Sequence, residues 1–202
     1  MRRWIVITLT IALLFVVIFV FKGETGSAVV KQIQSMFEPE KTILQEIEGQ
    51  KEETDVQLNE GTHSDYVLYV DENRYTMIKG EDADLITTKE PLPDHYPEVS
   101  MEIRQVTDAA PDALVEEVAI ELRREFPRLK EPEHVSDPVE GFQLHGINGG
   151  QEWDSPVVQV YVISNGKTGS FVITTRYFLE AAEGHGARFY EMLKEFKVIE
   201  AK

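Results

Sequence analysis

Residues 4–21 form an apolar run of 18 positions interrupted only by Thr8 and Thr10, with Arg2 and Arg3 before it and Lys22 after it. As a helix rising about 1.5 Å per residue it reaches roughly 27 Å, enough to cross the hydrocarbon of a bilayer. A cleavable secretory signal has a shorter core, about 7 to 15 residues, that ends in a small-x-small site. The one site of that kind here is the weak Gly26-Ser27-Ala28. The run is therefore expected to stay in the membrane as a signal anchor, with Trp4, Phe15, Phe19 and Phe21 as its aromatic groups. Arg2, Arg3 and the α-amino group stand on the short side, and the positive-inside tendency keeps such a cluster in the cytoplasm. The expectation is a single-pass protein of the cell membrane whose remaining chain lies outside. With no cysteine in the sequence, neither a lipid thioether nor a disulfide can form.

The 36 acidic and 20 basic residues leave a net charge of −16, almost all of it beyond Lys22. Nucleic-acid binding needs a basic stripe that releases counterions from phosphates, and no such stripe follows the anchor. DNA and RNA are excluded as partners on that ground. The same excess opposes lying flat on anionic lipid.

Beyond the anchor, residues 23–62 read as a stalk. Val29, Val30, Ile33, Met36 and Phe37 recur at helical spacing and predict an amphipathic helix ended by Pro39. Ile43, Leu44 and Ile47 offer one or two further turns. Residues 49–61 carry Lys51, Glu52, Glu53, Asp55 and Glu60 around only Val56 and Leu58, which predicts a solvated tether. The domain boundary is accordingly placed near His63, and residues 63–202 are long enough for one core.

Within that domain the pattern is mixed. Strands are predicted over residues 66–70 and 74–79, around the turn Asp71-Glu72-Asn73, and over 85–88. Val99, Met101 and Ile103 alternate with Ser100, Glu102 and Arg104, the period of a strand with one wet face. Asp108 is a candidate cap for a helix entered through Pro111 and carrying Leu114, Val115, Val118, Ala119, Leu122 and Phe126 on one stripe, with Ile120 off it. Residues 142–147 precede Asn148-Gly149-Gly150, a hairpin signal. Residues 157–163 read as a central strand, and Asn165-Gly166 turns the chain into residues 171–177. A last helix gathers Phe189, Met192, Leu193 and Phe196 on one face. Strands, helix, strands and helix joined by hairpins predict an α+β fold, an antiparallel sheet packed by helices.

Chemistry is harder to find. Gly166-Lys167-Thr168 lacks the upstream glycine of a phosphate loop, since Tyr161 occupies that position, and a strand follows it rather than a helix. Asp71, Asn73, Glu81, Asp82 and Asp84 fit no calcium-loop register and read as solvated turns. No serine elbow, cysteine nucleophile or paired zinc histidines are present. The densest polar group is Glu180, Glu183 and His185, followed by Arg188, where the last strand bends through Gly184 and Gly186 into the last helix. These four residues are the candidate binding site. Oxygen and imidazole ligands of this kind could hold a divalent cation, so an extracytoplasmic hydrolase or metal-dependent enzyme on Glu180, Glu183 and His185 is the alternative reading. Their spacing matches no metal signature, and glycine-flanked polar residues before a helix have an ordinary capping role.

The segment Gly169-Ser170-Phe171-Val172-Ile173-Thr174-Thr175-Arg176-Tyr177, followed by Met192-Leu193-Lys194-Glu195-Phe196, resembles the end of a PsbP/DcrB-type domain. The resemblance covers roughly the whole outer domain. It implies an α-β-α sandwich around a central antiparallel sheet, in a family whose better-known members bind or assemble other proteins. It fixes core positions and carries over no ligand residues. Taken together, these readings lead to an anchored extracytoplasmic module, non-catalytic and without a cofactor, that touches the bilayer through its first helix and binds a protein or envelope component.

Overall fold

The computed structural model describes residues 36–63 and 65–199. The chain divides into two compact units, Met1–Pro39 and Glu40–Lys202, and the second carries the architecture. The expected anchor over residues 4–21 lies outside the described residues, and so does the amphipathic helix expected over residues 29–37, apart from Met36 and Phe37. Among the described residues no helix is long and apolar enough to cross a membrane.

The fold is α+β, with two antiparallel sheets and few helices. Strands β1 (Glu40–Ile47), β2 (Gln50–Glu60), β3 (Tyr66–Val70) and β11 (Lys197–Val198) form a four-stranded sheet in the order β1-β2-β3-β11. Strands β4 (Tyr75–Ile78), β5 (Ala83–Thr88), β6 (Ser100–Val106), β7 (Glu133–Val135), β8 (Gly141–Ile147), β9 (Pro156–Ser164) and β10 (Ser170–Phe178) form a seven-stranded sheet in the order β4-β5-β6-β10-β9-β8-β7. Helix α1 (Pro111–Leu122) falls between β6 and β7, and α2 (Ala187–Lys194) between β10 and β11.

The tether expected over residues 49–61 is a correction. Residues 40–60 are a hairpin, with Glu40 opposite Gln57 and Ile47 opposite Gln50, closed by Glu48 and Gly49 at positive φ. Charged residues on β2 misled the composition argument because they alternate with inward ones: Thr54 and Val56 are buried while Glu53 and Asp55 are exposed. Ile43, Leu44 and Ile47 likewise belong to a strand, which places Ile47 inside at 5% exposure and Leu44 outside at 58%. The compact unit therefore starts at Glu40 and not near His63.

The turn at Asp71-Glu72-Asn73 does join two strands, but not into a hairpin. β3 pairs with β2 and β11, whereas β4 pairs with β5, so the chain steps from one sheet to the other in four residues. Asp71 is buried at the step, and its carboxylate accepts the Asn73 N–H at 3.0 Å. That side-chain turn explains why an aspartate read as solvated sits inside.

Valine-rich β9 is buried on both faces. Tyr161 and Ile163 join Phe171 and Ile173 of β10, Met101 and Ile103 of β6, and Phe189, Met192 and Leu193 of α2 in one core that also takes in Tyr66, Leu68 and Val70 of β3. Val158, Val160 and Val162 face the other way, onto Leu114, Val115, Val118 and Ala119 of α1. The two helices thus lie on opposite faces of the larger sheet. β9 is interior as expected, while the middle place belongs to β10.

Three local expectations change. Helix α1 begins with Ala110 as its cap, because Pro111 takes the first helical position and leaves Asp108 two residues too far back; Asp108 instead accepts from the Thr107 hydroxyl. The helix ends at Leu122, and Phe126 is buried from the turns that follow. The β8–β9 connection is a hairpin with a long loop over residues 148–155, closed where the Asn148 N–H meets the Pro156 carbonyl at 2.9 Å. The Asn165-Gly166 turn stands as expected, with Asn165 Oδ1 accepting the Lys167 and Gly169 N–H groups at 2.9 and 3.0 Å.

Candidate functional site

Strand β10 ends at Phe178, and the chain enters a 3-10 turn (Leu179–Ala181), a π-helical turn (Ala182–Gly186) and then α2. A π-turn inserts a residue into the helical ladder and recurs at functional positions. This winding carries the four residues singled out by sequence, and it separates them. Glu180 and Glu183 are exposed, and neither carboxylate makes a hydrogen bond or ion pair among the described residues. His185 turns inward, where its Nδ1 lies 2.8 Å from the hydroxyl of Tyr75, a residue 1% exposed. Among the described residues no three histidine, aspartate or glutamate side chains stand where one metal ion could be held.

Arg188 is largely buried and reaches back to the first hairpin. Its Nη2 donates to Glu52 Oε2 at 2.9 Å and its Nη1 to the Gly184 carbonyl at 3.3 Å. Glu52 also receives Arg74 at 2.7 Å, and Arg74 lies 3.5 Å from Asp71. One carboxylate on β2 therefore bridges two guanidiniums, one before β4 and one at the start of α2. Two buried donors beside this bridge, Arg188 Nε and Gln45 Nε2, have no partner; Gln45 is the cross-strand neighbour of Glu52.

Burial pushes the His185 imidazole below its ordinary value, and the positive charges of Arg188 and Arg74 push it further. Burial holds the Tyr75 phenol well above its ordinary value, outweighing the opposite pull of Arg188. The two groups share one hydrogen bond, whose direction follows the tautomer of the imidazole, since a protonated phenol can donate to a bare Nδ1 or accept from Nδ1–H. Glu52, Arg74 and Tyr75 were missed by sequence reasoning. Glu52 gave no signal because an isolated acidic residue in a polar stretch looks the same whether it faces water or a buried arginine.

The exposed end of the same segment meets two loops. The Leu179 N–H donates to the Ser155 carbonyl and the Glu180 N–H to the Trp153 carbonyl, both at 3.0 Å, which pins the β8–β9 loop against the end of β10. Trp153 then packs edge-on to Phe178 and to Tyr96, with ring centroids 6.0 and 5.3 Å apart, and His95 packs against Tyr96 at 4.6 Å. Tyr96 and His95 come from the proline-rich loop between β5 and β6. Phe178 is buried beneath, while Trp153 and Tyr96 keep 41% and 38% of their surface exposed. The sequence offered no pattern for this cluster, since its rings come from three segments that only the fold brings together.

A third polar centre is structural. Asp84, read as part of a solvated acidic turn, is 3% exposed and accepts from the Tyr66 hydroxyl at 2.6 Å, the Thr62 N–H at 3.0 Å, the Thr62 hydroxyl and the Gly80 N–H. It clamps the β2–β3 and β4–β5 connections together.

Compared with known proteins, the chain matches no family model and no curated relative.

Proposed function

We propose that this protein is a membrane-anchored extracytoplasmic binding module, without catalytic activity of its own, that engages a protein or envelope component. Residues 4–21 serve as the anchor and the folded acidic unit works on the outer side. The observation that carries the binding reading is the exposed cluster of Tyr96, Trp153 and His95 over Phe178. Tryptophan and tyrosine supply large contact area at low entropic cost and dominate binding energy at interfaces. Three separate segments converge to present these rings to solvent, although burying them would stabilise the fold.

Kinship with the PsbP/DcrB type belongs to the same proposal. Its support is an antiparallel sheet with α1 on one face and α2 on the other. The four-stranded sheet that shares the α2 side departs from a plain α-β-α sandwich.

Two experiments test the reading. An alkaline phosphatase fusion after Lys202 should be active, and a stable but inactive fusion would overturn the orientation. A photo-crosslinking residue at Asp154 should give a discrete adduct in intact cells that is lost in Trp153→Ala and kept in Ile120→Ala, where the substituted side chain is exposed on α1. A chain recovered only as uncrosslinked monomer, or an adduct indifferent to Trp153, would refute the binding role. The enzymatic alternative on Glu180, Glu183 and His185 predicts bound metal in the purified protein and its loss in His185→Ala. The outward carboxylates and the inward, Tyr75-bonded imidazole do not favour it.

A further inference from the structure

The segments that build the aromatic cluster carry negative charge and no cation of their own. Residues 91–98, 148–155 and 178–183, the three segments that build it, contain Asp94, Glu98, Glu152, Asp154, Glu180 and Glu183 and not one lysine or arginine. All six acids are exposed, and among the described residues none makes an ion pair or a side-chain hydrogen bond. Several cations that adjoin these segments are turned to other work: Lys89 donates to the Glu72 carbonyl at 2.9 Å, Arg128 reaches the Gly149 carbonyl at 2.5 Å, Arg176 pairs with Glu125 at 3.0 Å and Arg188 with Glu52 at 2.9 Å. Exposed carboxylates stand without an ion pair elsewhere too, Glu116 and Glu117 on α1 among them; what marks this face is the combination of exposed rings with segments that hold six acids and no lysine or arginine.

Resting on the binding role proposed above, we infer that the partner at this surface is a basic protein segment, with lysine or arginine side chains spaced along it. Each ring face attracts a cation through its quadrupole, and a cation seated there also meets the carboxylates at the rim. The ligand must be extended, because the acids are dispersed over three segments and no three of them converge as a point ion would require. Nucleic acid and anionic lipid carry the wrong sign. A neutral glycan could stack on Trp153 and Tyr96 but would leave six carboxylates without a role.

The chain contains two tryptophans, so a full-length Trp4→Phe protein in neutral detergent leaves Trp153 as the sole indole reporter. A synthetic peptide of lysines spaced by glycine and leucine should change its emission saturably, and binding should weaken several-fold as salt rises from about 0.05 to 0.2 M, as screening of exposed charges requires. Affinity should fall about tenfold in Tyr96→Ala and several-fold in the double variant Glu152→Gln with Asp154→Asn. That second variant changes only exposed carboxylates and so leaves the fold intact. An equal response to the same peptide with glutamine for lysine, an equal response to a chitin oligosaccharide, or no response at all would each overturn the inference. If the adduct in cells still depends on Trp153 while the lysine peptide fails, the partner class is wrong and the binding role stands; if both fail, the role falls as well.

Discussion

Asp84 and His185 hold opposite positions in the acid–base behaviour of the fold. Burial alone would raise the Asp84 carboxyl, but hydrogen bonds from the Thr62 side chain, Tyr66 and the Thr62 and Gly80 N–H groups outweigh it and hold the group below the usual aspartate value. Its stabilisation is complete above an ordinary unfolded value near 3.9 and is lost as pH falls through the lower folded one. Asp84→Asn should cost about 2 kcal/mol in urea unfolding at neutral pH, because the amide cannot accept all the donors now aimed at it. That deficit should shrink in acid. His185 works the other way. The unfolded imidazole takes up a proton below about 6.5 that the folded one refuses, so stability should decline as pH drops from 7 towards the lowered folded value and then level off. His145, lowered by burial and by Lys130, adds to the same slope. Thermal melts between about pH 7 and 5 should therefore flatten in part in His185→Gln and further when His145→Gln is added; an unchanged slope in both would contradict the buried neutral imidazoles. None of this was legible in sequence. The identity of a titrating residue says nothing of its environment: Asp84 was read as part of a solvated turn and His185 as a candidate binding or capping residue.

Elements were legible wherever one face is wet. The alternation of Met101 and Ile103 with Glu102 predicts β6, and the stripe from Leu114 to Ala119 predicts α1, because in both cases burial follows a period set by the backbone. The first hairpin escaped because its inward positions include Gln45 and Thr54, which bond to each other at 3.2 Å and carry no hydrophobic signature. Short β7 and β11 escaped for lack of length, being defined by pairing with β8 and β3 rather than by their own residues. The turn between β9 and β10 shows how little room such connections have. A Cβ on Gly169 would run into the carbonyl oxygens of Val106 and Thr107. Gly169→Ala should destabilise the protein by about 2 kcal/mol or more, since backbone rather than a pliant side chain must give way. A chemical denaturation midpoint equal to that of the parent would refute the close approach.

At the scale of the whole molecule, the sequence conveyed the α+β class and the succession of strands and helices, but not the division into two sheets. Division depends on which strand edges meet, and the four-residue step at Asp71 looks like any hairpin turn. The position of the true start can be tested directly. A chain beginning at residue 63 lacks β1 and β2, exposes one edge of β3 and loses Glu52 from Arg188, so it should show no cooperative melt; one beginning at Glu40 should melt as the complete unit does. Equal transitions in the two would restore the tether. The smaller sheet has a further consequence, because β3 is flanked by β2 from the beginning of the unit and by β11 from its end, with the Ile199 N–H also bonded to the Asp65 carbonyl at 2.8 Å. A chain emerging N-terminus first from a ribosome or a translocation pore cannot finish that sheet until Lys197 and Val198 are free. The nascent protein should thus stay protease-sensitive until Ile199 has emerged, then become resistant in one late step.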